Sequence, residues 1–187
     1  MDSRTRLLEA TTALLADRGY HGTGMKDILG ASGVVAGSLY HHFPGGKDEL
    51  AAACVVRASH AVTERIEASI GSRPLEDAVE AFYAASAAAL LASDFRSGCP
   101  VGTPAAETRT LAEPVATAVA DAFHNWEAAL TAGLLAHGWP PDAAASTASV
   151  LLSLYEGALL VARAERSTRP LDLAARHSRA VVNAGPA

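Results

Sequence analysis

Four groupings of side chains in this sequence have the types and spacing to do chemistry. Gly45-Gly46-Lys47 suggests a phosphate loop, but that motif needs a glycine six residues before the lysine and Ser or Thr after it, where His41 and Asp48 stand. His60 and Glu64, four residues apart, would share a helix face and offer a metal two ligands, yet spacing places no third. Cys99 and His124 are a thiol and an imidazole that nothing brings together or supplies with an oxyanion hole. No catalytic residue, metal or cofactor is therefore expected, and the chain does not read as an enzyme. The fourth grouping, Tyr40, His41, His42 and Lys47, gathers hydroxyl, imidazole and ammonium donors, the groups that hold phosphate oxygens and fix a register along a nucleic acid.

The elements that must position these donors lie around them. Residues 25–31 and 35–42 read as two short helices joined by a tight turn through Ser32, Gly33 and Val34, the helix-turn-helix plan. Thr23 is expected to cap the first helix with its hydroxyl, and Gly33 to take the left-handed conformation of a sharp turn. Ile28 and Leu39 fall on the inward faces. Ala36, Gly37 and Ser38 leave small side chains at the outer start of the second helix, so that its backbone can approach a groove closely. Upstream, residues 3–18 form a helix with a stripe of Leu7, Leu8, Thr11, Leu14 and Leu15, stopped by Gly19. Downstream, Pro44-Gly45-Gly46 breaks the path before a long helix over 47–70, whose first turn carries Asp48 and Glu49 where the helix dipole favours them.

Thr23, Ile28, Gly33-Val34, Gly37, Leu39-Tyr40, His42-Phe43, Lys47 and Leu50 together resemble the DNA-binding signature of TetR-type transcriptional repressors. Leu29 stands where that family usually has Ala, and Val35 where it has Ser, so the recognition helix lacks its side-chain cap and a frayed start is expected. On this resemblance Thr23, Lys26, Val35, Ala36, Gly37, Ser38, Tyr40, His41, His42 and Lys47 are the DNA-binding residues, and double-stranded operator DNA is the partner. A second stretch, Ser97 to Glu107, contains a Gly-Cys-Pro-Val element that resembles the LmrA/YxaF-like subgroup of the same family.

Composition agrees with an all-α protein. Half of the 187 residues are hydrophobic, alanine is abundant, and Gly and Pro gather between periodic segments, with no uninterrupted apolar run near the length of a bilayer span. The charged N-terminus lacks an apolar signal core, and Cys54 and Cys99 suggest no disulfide framework. A cytoplasmic protein with no membrane partner is expected. The net charge of −5 is spread evenly: residues 1–50 hold five Lys/Arg against six Asp/Glu, and the remainder ten against fourteen. This is no polyelectrolyte clamp, so binding must come from a few locally placed donors in a symmetric pair of modules.

Past Gly71, helices are expected over 74–92, 103–111, 114–137, 142–164 and 171–183, with a loop at 94–104 and a disordered tail at 184–187, about nine helices in all. Residues 1–46 would form the head and 47–187 a ligand-binding and dimerisation body. The helix over 142–164 is apolar or small on nearly every side and must be covered twice, so a second copy is the expected cover, with Leu152, Tyr155 and Leu159 at the interface of a homodimer. The resemblance implies an inducer pocket in the body. Phe82, Tyr83, Cys99, Phe123, Trp126 and Tyr155 are its candidate walls, suited to a small hydrophobic or aromatic molecule as yet unidentified, with the loop at Gly98-Cys99-Pro100 near its entrance. The alternative is a dimeric DNA-binding or scaffold protein whose solid core answers to no ligand.

Overall fold

A computed structural model describes residues 2–185. Its described residues form nine α-helices, one 3-10 turn and no strand. The order is α1 (Ser3–Arg18), α2 (Met25–Ser32), α3 (Ala36–His42), α4 (Gly46–Ser72), α5 (Leu75–Ala92), α6 (Gly102–Ala105), the 3-10 turn (Thr108–Thr110), α7 (Glu113–Ala136), α8 (Pro141–Glu165) and α9 (Arg169–Ala184). The helical fold class and the number of helices are those expected from the sequence. Packing groups the chain into two compact units, Met1–His60 with Cys99–Phe123, and Ala61–Gly98 with His124–Ala187. The expected division after residue 46 therefore gives way to one inside α4. Leu50, Ala51, Cys54 and Val55 at the start of that helix are fully buried, and the Cys54 thiol donates to the Leu8 carbonyl of α1 at 3.5 Å. α4 and α7 each contribute residues to both units.

In the first unit the α1 stripe is inward as its spacing predicts, with Leu7 and Leu15 fully buried beside Ile28, Leu39 and Phe43. Asp2 caps α1 by accepting the Thr5 amide at 2.7 Å, a bond that holds its carboxyl below the usual range. Gly19 ends the helix at φ 74°. The expected helix over 103–111 is divided: α6 stops at Ala105, and the Thr108 and Thr110 hydroxyls each donate to a carbonyl three residues back, Ala105 and Glu107. Such side-chain bonds compete with the helical ladder and turn the segment into a 3-10 pitch.

The second unit is built on α5, α8 and α9, with Leu75, Leu134, Trp139, Ala144, Ala148, Leu151 and Val182 as one apolar cluster. Arg179 of α9 reaches Glu80 of α5 at 3.0 Å. After α5, Asp94 and Phe95 are left-handed at φ 53° and 60°, and Arg166, itself at φ 50°, donates to the Asp94 carboxylate at 2.6 Å while covering the Phe95 ring. α8 begins on Pro141 and has length and hydropathy enough to cross a membrane by composition alone, at a mean hydropathy of 1.5. Its buried side, Ala144, Ala148, Leu151, Ala158, Leu159 and Ala162, belongs to a packed helical unit instead. Leu159, expected at a dimer interface, is thus buried within its own chain. A helix without a polar face gives no sign in the sequence of which side turns inward. Ala184 closes α9 and is not part of a disordered tail, and the remaining expectation for Pro186 and Ala187 lies outside the described residues.

Candidate DNA-binding site

The turn between α2 and α3 takes the form its residues dictate. Gly33 sits at φ 62°, ψ 25°, its amide closing on the Leu29 carbonyl at 3.0 Å, and the buried Ser32 hydroxyl accepts the Val34 amide at 3.3 Å. Only glycine adopts that conformation without strain. Thr23 does not cap α2. Its hydroxyl is fully buried and donates backward to the Gly19 carbonyl at 2.7 Å, so it shapes the loop and has no surface to offer DNA. Gly24 holds the cap position, and the Asp27 carboxylate reaches back to accept its amide at 3.1 Å.

α3 starts at Ala36, one residue later than expected, and Val35 at its cap makes no side-chain bond. The outer face of the helix is open: Val35 is 74% exposed and Tyr40 53%, with Ala36, Gly37 and His41 exposed and Ser38 half-buried. A Cβ added at Gly37 would meet nothing within 4 Å. Lys26 is exposed on α2. His42 is only partly free, its ring nitrogen lying 2.7 Å from the Ser3 hydroxyl of α1.

Lys47 is engaged more closely than its spacing suggested. Its ammonium lies 3.9 Å above the Tyr20 ring, and the Tyr20 hydroxyl donates to Asp48. Desolvation lowers the Lys47 pKa against the opposing pull of the Asp48 and Glu107 carboxylates. Burial, aided by Asp48, pushes the Tyr20 phenol up to about 12. Gly46 at φ 66° begins α4, and Glu49 accepts the Gly45 amide at 2.7 Å, so Pro44-Gly45-Gly46 serves as a helix start and not as a phosphate cradle.

A residue that sequence reasoning missed completes the head. Glu107 accepts the amides of both Tyr20 and His21 on one carboxylate oxygen, at 2.9 and 3.0 Å. Thr103 donates to the Ala16 carbonyl at 3.3 Å, and the His21 ring lies 2.9 Å from the Thr110 hydroxyl. The 99–123 stretch is part of the first unit, and the division between the units falls within the Gly98-Cys99-Pro100 loop, between Gly98 and Cys99.

The expected pocket residues are divided accordingly. Cys99 is buried and Phe123 half-buried in the first unit. Phe82, Tyr83 and Tyr155 cluster in the second, with ring centroids 4.9 to 6.4 Å apart, and Trp126 is buried in that unit. Two hydroxyl pairs serve the cluster, Ser86 with Tyr155 at 3.0 Å and Tyr83 with Ser178 at 3.1 Å. Burial raises the Tyr83 pKa, and the Ser178 bond opposes this. Among the described residues no group of three or more His, Cys, Asp or Glu could hold a metal.

A helix-turn-helix whose second helix carries small and hydrogen-bonding side chains outward, attached to a helical body, defines a DNA-binding regulator. Residues 7–54 match the family model of bacterial regulatory proteins of the tetR family, and residues 76–177 match the LmrA/YxaF-like transcriptional regulator C-terminal domain. The regulator Rv0196 of Mycobacterium tuberculosis is 36% identical over 94% of this chain and 92% of its own. The regulator YxaF of Bacillus subtilis is 34% identical over 93% and 92%. The reduced form of NemR from Escherichia coli superposes with a TM-score of 0.80 at 27% identity, covering 95% of each chain. The chain belongs to the TetR family of transcriptional regulators, with a C-terminal domain of the LmrA/YxaF-like kind.

Proposed function

We propose that this regulator is a homodimeric repressor that binds a palindromic operator through paired α3 helices and is released by a small hydrophobic or aromatic ligand held in its second unit. The observation that carries the DNA half is the open face of α3, where Ala36, Gly37, Ser38, Tyr40 and His41 stand free of core duties. Two-fold pairing then demands inverted half-sites whose centres lie about one helical turn, or a multiple of it, apart. NemR carries the name of a transcriptional repressor, which favours repression here. Dimerisation is supported by the outer side of α8, where Val150 is 56%, Leu160 66% and Val161 45% exposed in a single chain. A second copy is the natural cover for such an apolar stripe.

The ligand half rests on the Phe82, Tyr83 and Tyr155 rings with the Ser86 and Ser178 hydroxyls among them, apolar walls with a few polar groups to orient a guest. The same hydroxyl pairs favour a second reading, a closed core that answers to no ligand, because each hydroxyl already has its partner inside the protein. Thermal melting against a panel of small aromatic and aliphatic compounds separates the two, since a ligand bound only by the native state raises the melting temperature. A hit is then titrated into the dimer with and without a palindromic duplex selected by the protein. Release of the duplex, with weaker ligand binding to the complex by the same factor, is expected. Equal affinity for free and DNA-bound dimer refutes ligand control.

A further inference from the structure

We infer that Glu107 is a positioning residue for DNA binding: its carboxylate clamps the α1–α2 loop and through it fixes the first turn of α4. This goes beyond the proposed ligand response and rests only on the DNA-binding reading of the head. The Tyr20 and His21 amides follow directly on the end of α1 and belong to no helix, so they depend on an acceptor from elsewhere. One oxygen of Glu107 takes both, at 2.9 and 3.0 Å. A charged acceptor makes such bonds shorter and stronger than neutral ones.

The geometry around the clamp is built for it. Gly19 turns the chain at φ 74° and also leaves room for the carboxylate, because a Cβ there would stand 2.4 Å from the second Glu107 oxygen. The segment carrying Glu107 is pinned to the same end of α1 at two further points, Thr103 on the Ala16 carbonyl and Thr110 beside the His21 ring. Holding the Tyr20 backbone holds its side chain, which donates to Asp48 and lies beneath the Lys47 ammonium. Lys47 and Asp48 are in the first turn of α4, four and five residues beyond Phe43, the C-cap of α3. The clamp thereby sets both ends of the α2–α3 hairpin, the loop that leads in and the helix that leads out, with no atom of Glu107 needed at the DNA.

The test uses the full-length protein and a duplex selected by it from random-sequence DNA, with an unselected duplex as reference. Failure of the wild-type protein to select any duplex would refute the DNA-binding reading itself, separately from the clamp. Glu107→Ala is expected to weaken binding to the selected duplex by about tenfold or more, the equivalent of one or two charge-assisted bonds of positioning. In the same variant, amide exchange at Tyr20 and His21 should accelerate while amides of α5, α8 and α9 keep their protection. Glu107→Gln retains an acceptor oxygen and should restore most of the affinity and of the Tyr20 and His21 protection. If Glu107→Ala binds within twofold of wild type, or if its Tyr20 and His21 amides stay protected, the inference is overturned. If the alanine variant does not fold, the glutamine variant decides: Tyr20 and His21 amides that exchange faster than in the wild type, with a modest loss of affinity, sustain the clamp, and wild-type exchange at both amides refutes it.

Discussion

Leu160 and Leu159 are neighbours on α8 with opposite surroundings, and truncating each in turn tests the proposed dimer. Leu160 is 66% exposed in a single chain, Leu159 only 6%. Full burial of a leucine side chain is worth about 1.5–3 kcal/mol, so covering the exposed two-thirds of Leu160 yields roughly 1–2 kcal/mol. A two-fold interface uses the residue twice, which brings Leu160→Ala to roughly 2–4 kcal/mol of association free energy, or about one to three orders of magnitude in the dimer dissociation constant. Sedimentation velocity over a dilution series reads that constant, and chemical denaturation of the dissociated variant should show a monomer of unchanged stability. Leu159→Ala should behave in the opposite way, costing about 2–5 kcal/mol of folding stability through a lost contact and a residual cavity. A Leu160→Ala protein whose dissociation constant stays within threefold of wild type would refute the placing of the interface on the Val150, Leu160 and Val161 side of α8.

Three shorter expectations concern the head. The Tyr20 phenol is pushed up to about 12, so its protonated form is favoured by folding; the stability it contributes is complete below about pH 10, the unperturbed value, and is lost as pH rises toward 12. Tyr20→Phe should remove that alkaline component from a pH series of urea melts, and an unchanged series would show that burial and the Asp48 bond do not raise the phenol's pKa on folding. Gly33→Ala forces a Cβ into φ 62° and should cost about 1 kcal/mol, seen in thermal melts together with weaker DNA binding; an unaffected melting temperature would contradict the turn geometry. Lys47→Ala should weaken binding to all duplexes alike, while Ser38→Ala or Ala36→Ser should change which bases a selection recovers. A change of base preference from Lys47→Ala with affinity intact would reverse these assignments.

What could be read from the sequence was what short-range chemistry dictates. Gly19 and Gly33 mark helix ends because a left-handed residue is a local requirement, and the α1 stripe is inward because its spacing leaves no other solution. The helix boundaries follow within a residue or two for the same reason, except over 103–111, where the Thr108 and Thr110 hydroxyls bond to carbonyls three residues back and the helix is divided. Thr23 was legible as a hydroxyl near a helix start, but whether it bonds forward to α2 or back to Gly19 is decided by the loop, and it bonds back. Leu159 illustrates a different blindness, since on a helix apolar all round the inward side is chosen by neighbours remote in sequence. Glu107 had no local signature at all. Its meaning lies in two amides 86 and 87 residues away, on a stretch whose own composition points to a loop and a helix of the body.

The emptiness beside Gly37 bears on how such a protein can acquire new targets. Nothing lies within 4 Å of a Cβ built there, and Val35 beside it is 74% exposed, so side chains on this face can be exchanged without disturbing the core. Replacing Gly37 by alanine would even strengthen the helix, by roughly 1 kcal/mol. Gly19 and Gly133 are the contrary case, where an added Cβ would stand 2.4 Å from Glu107 and 2.5 Å from Ile70. Variation is thus cheap on the face proposed to read bases and expensive where the scaffold closes on itself. Duplicated copies of this gene could drift toward different operators one outward residue at a time, each step paid in lost affinity for the old sequence and in almost no stability.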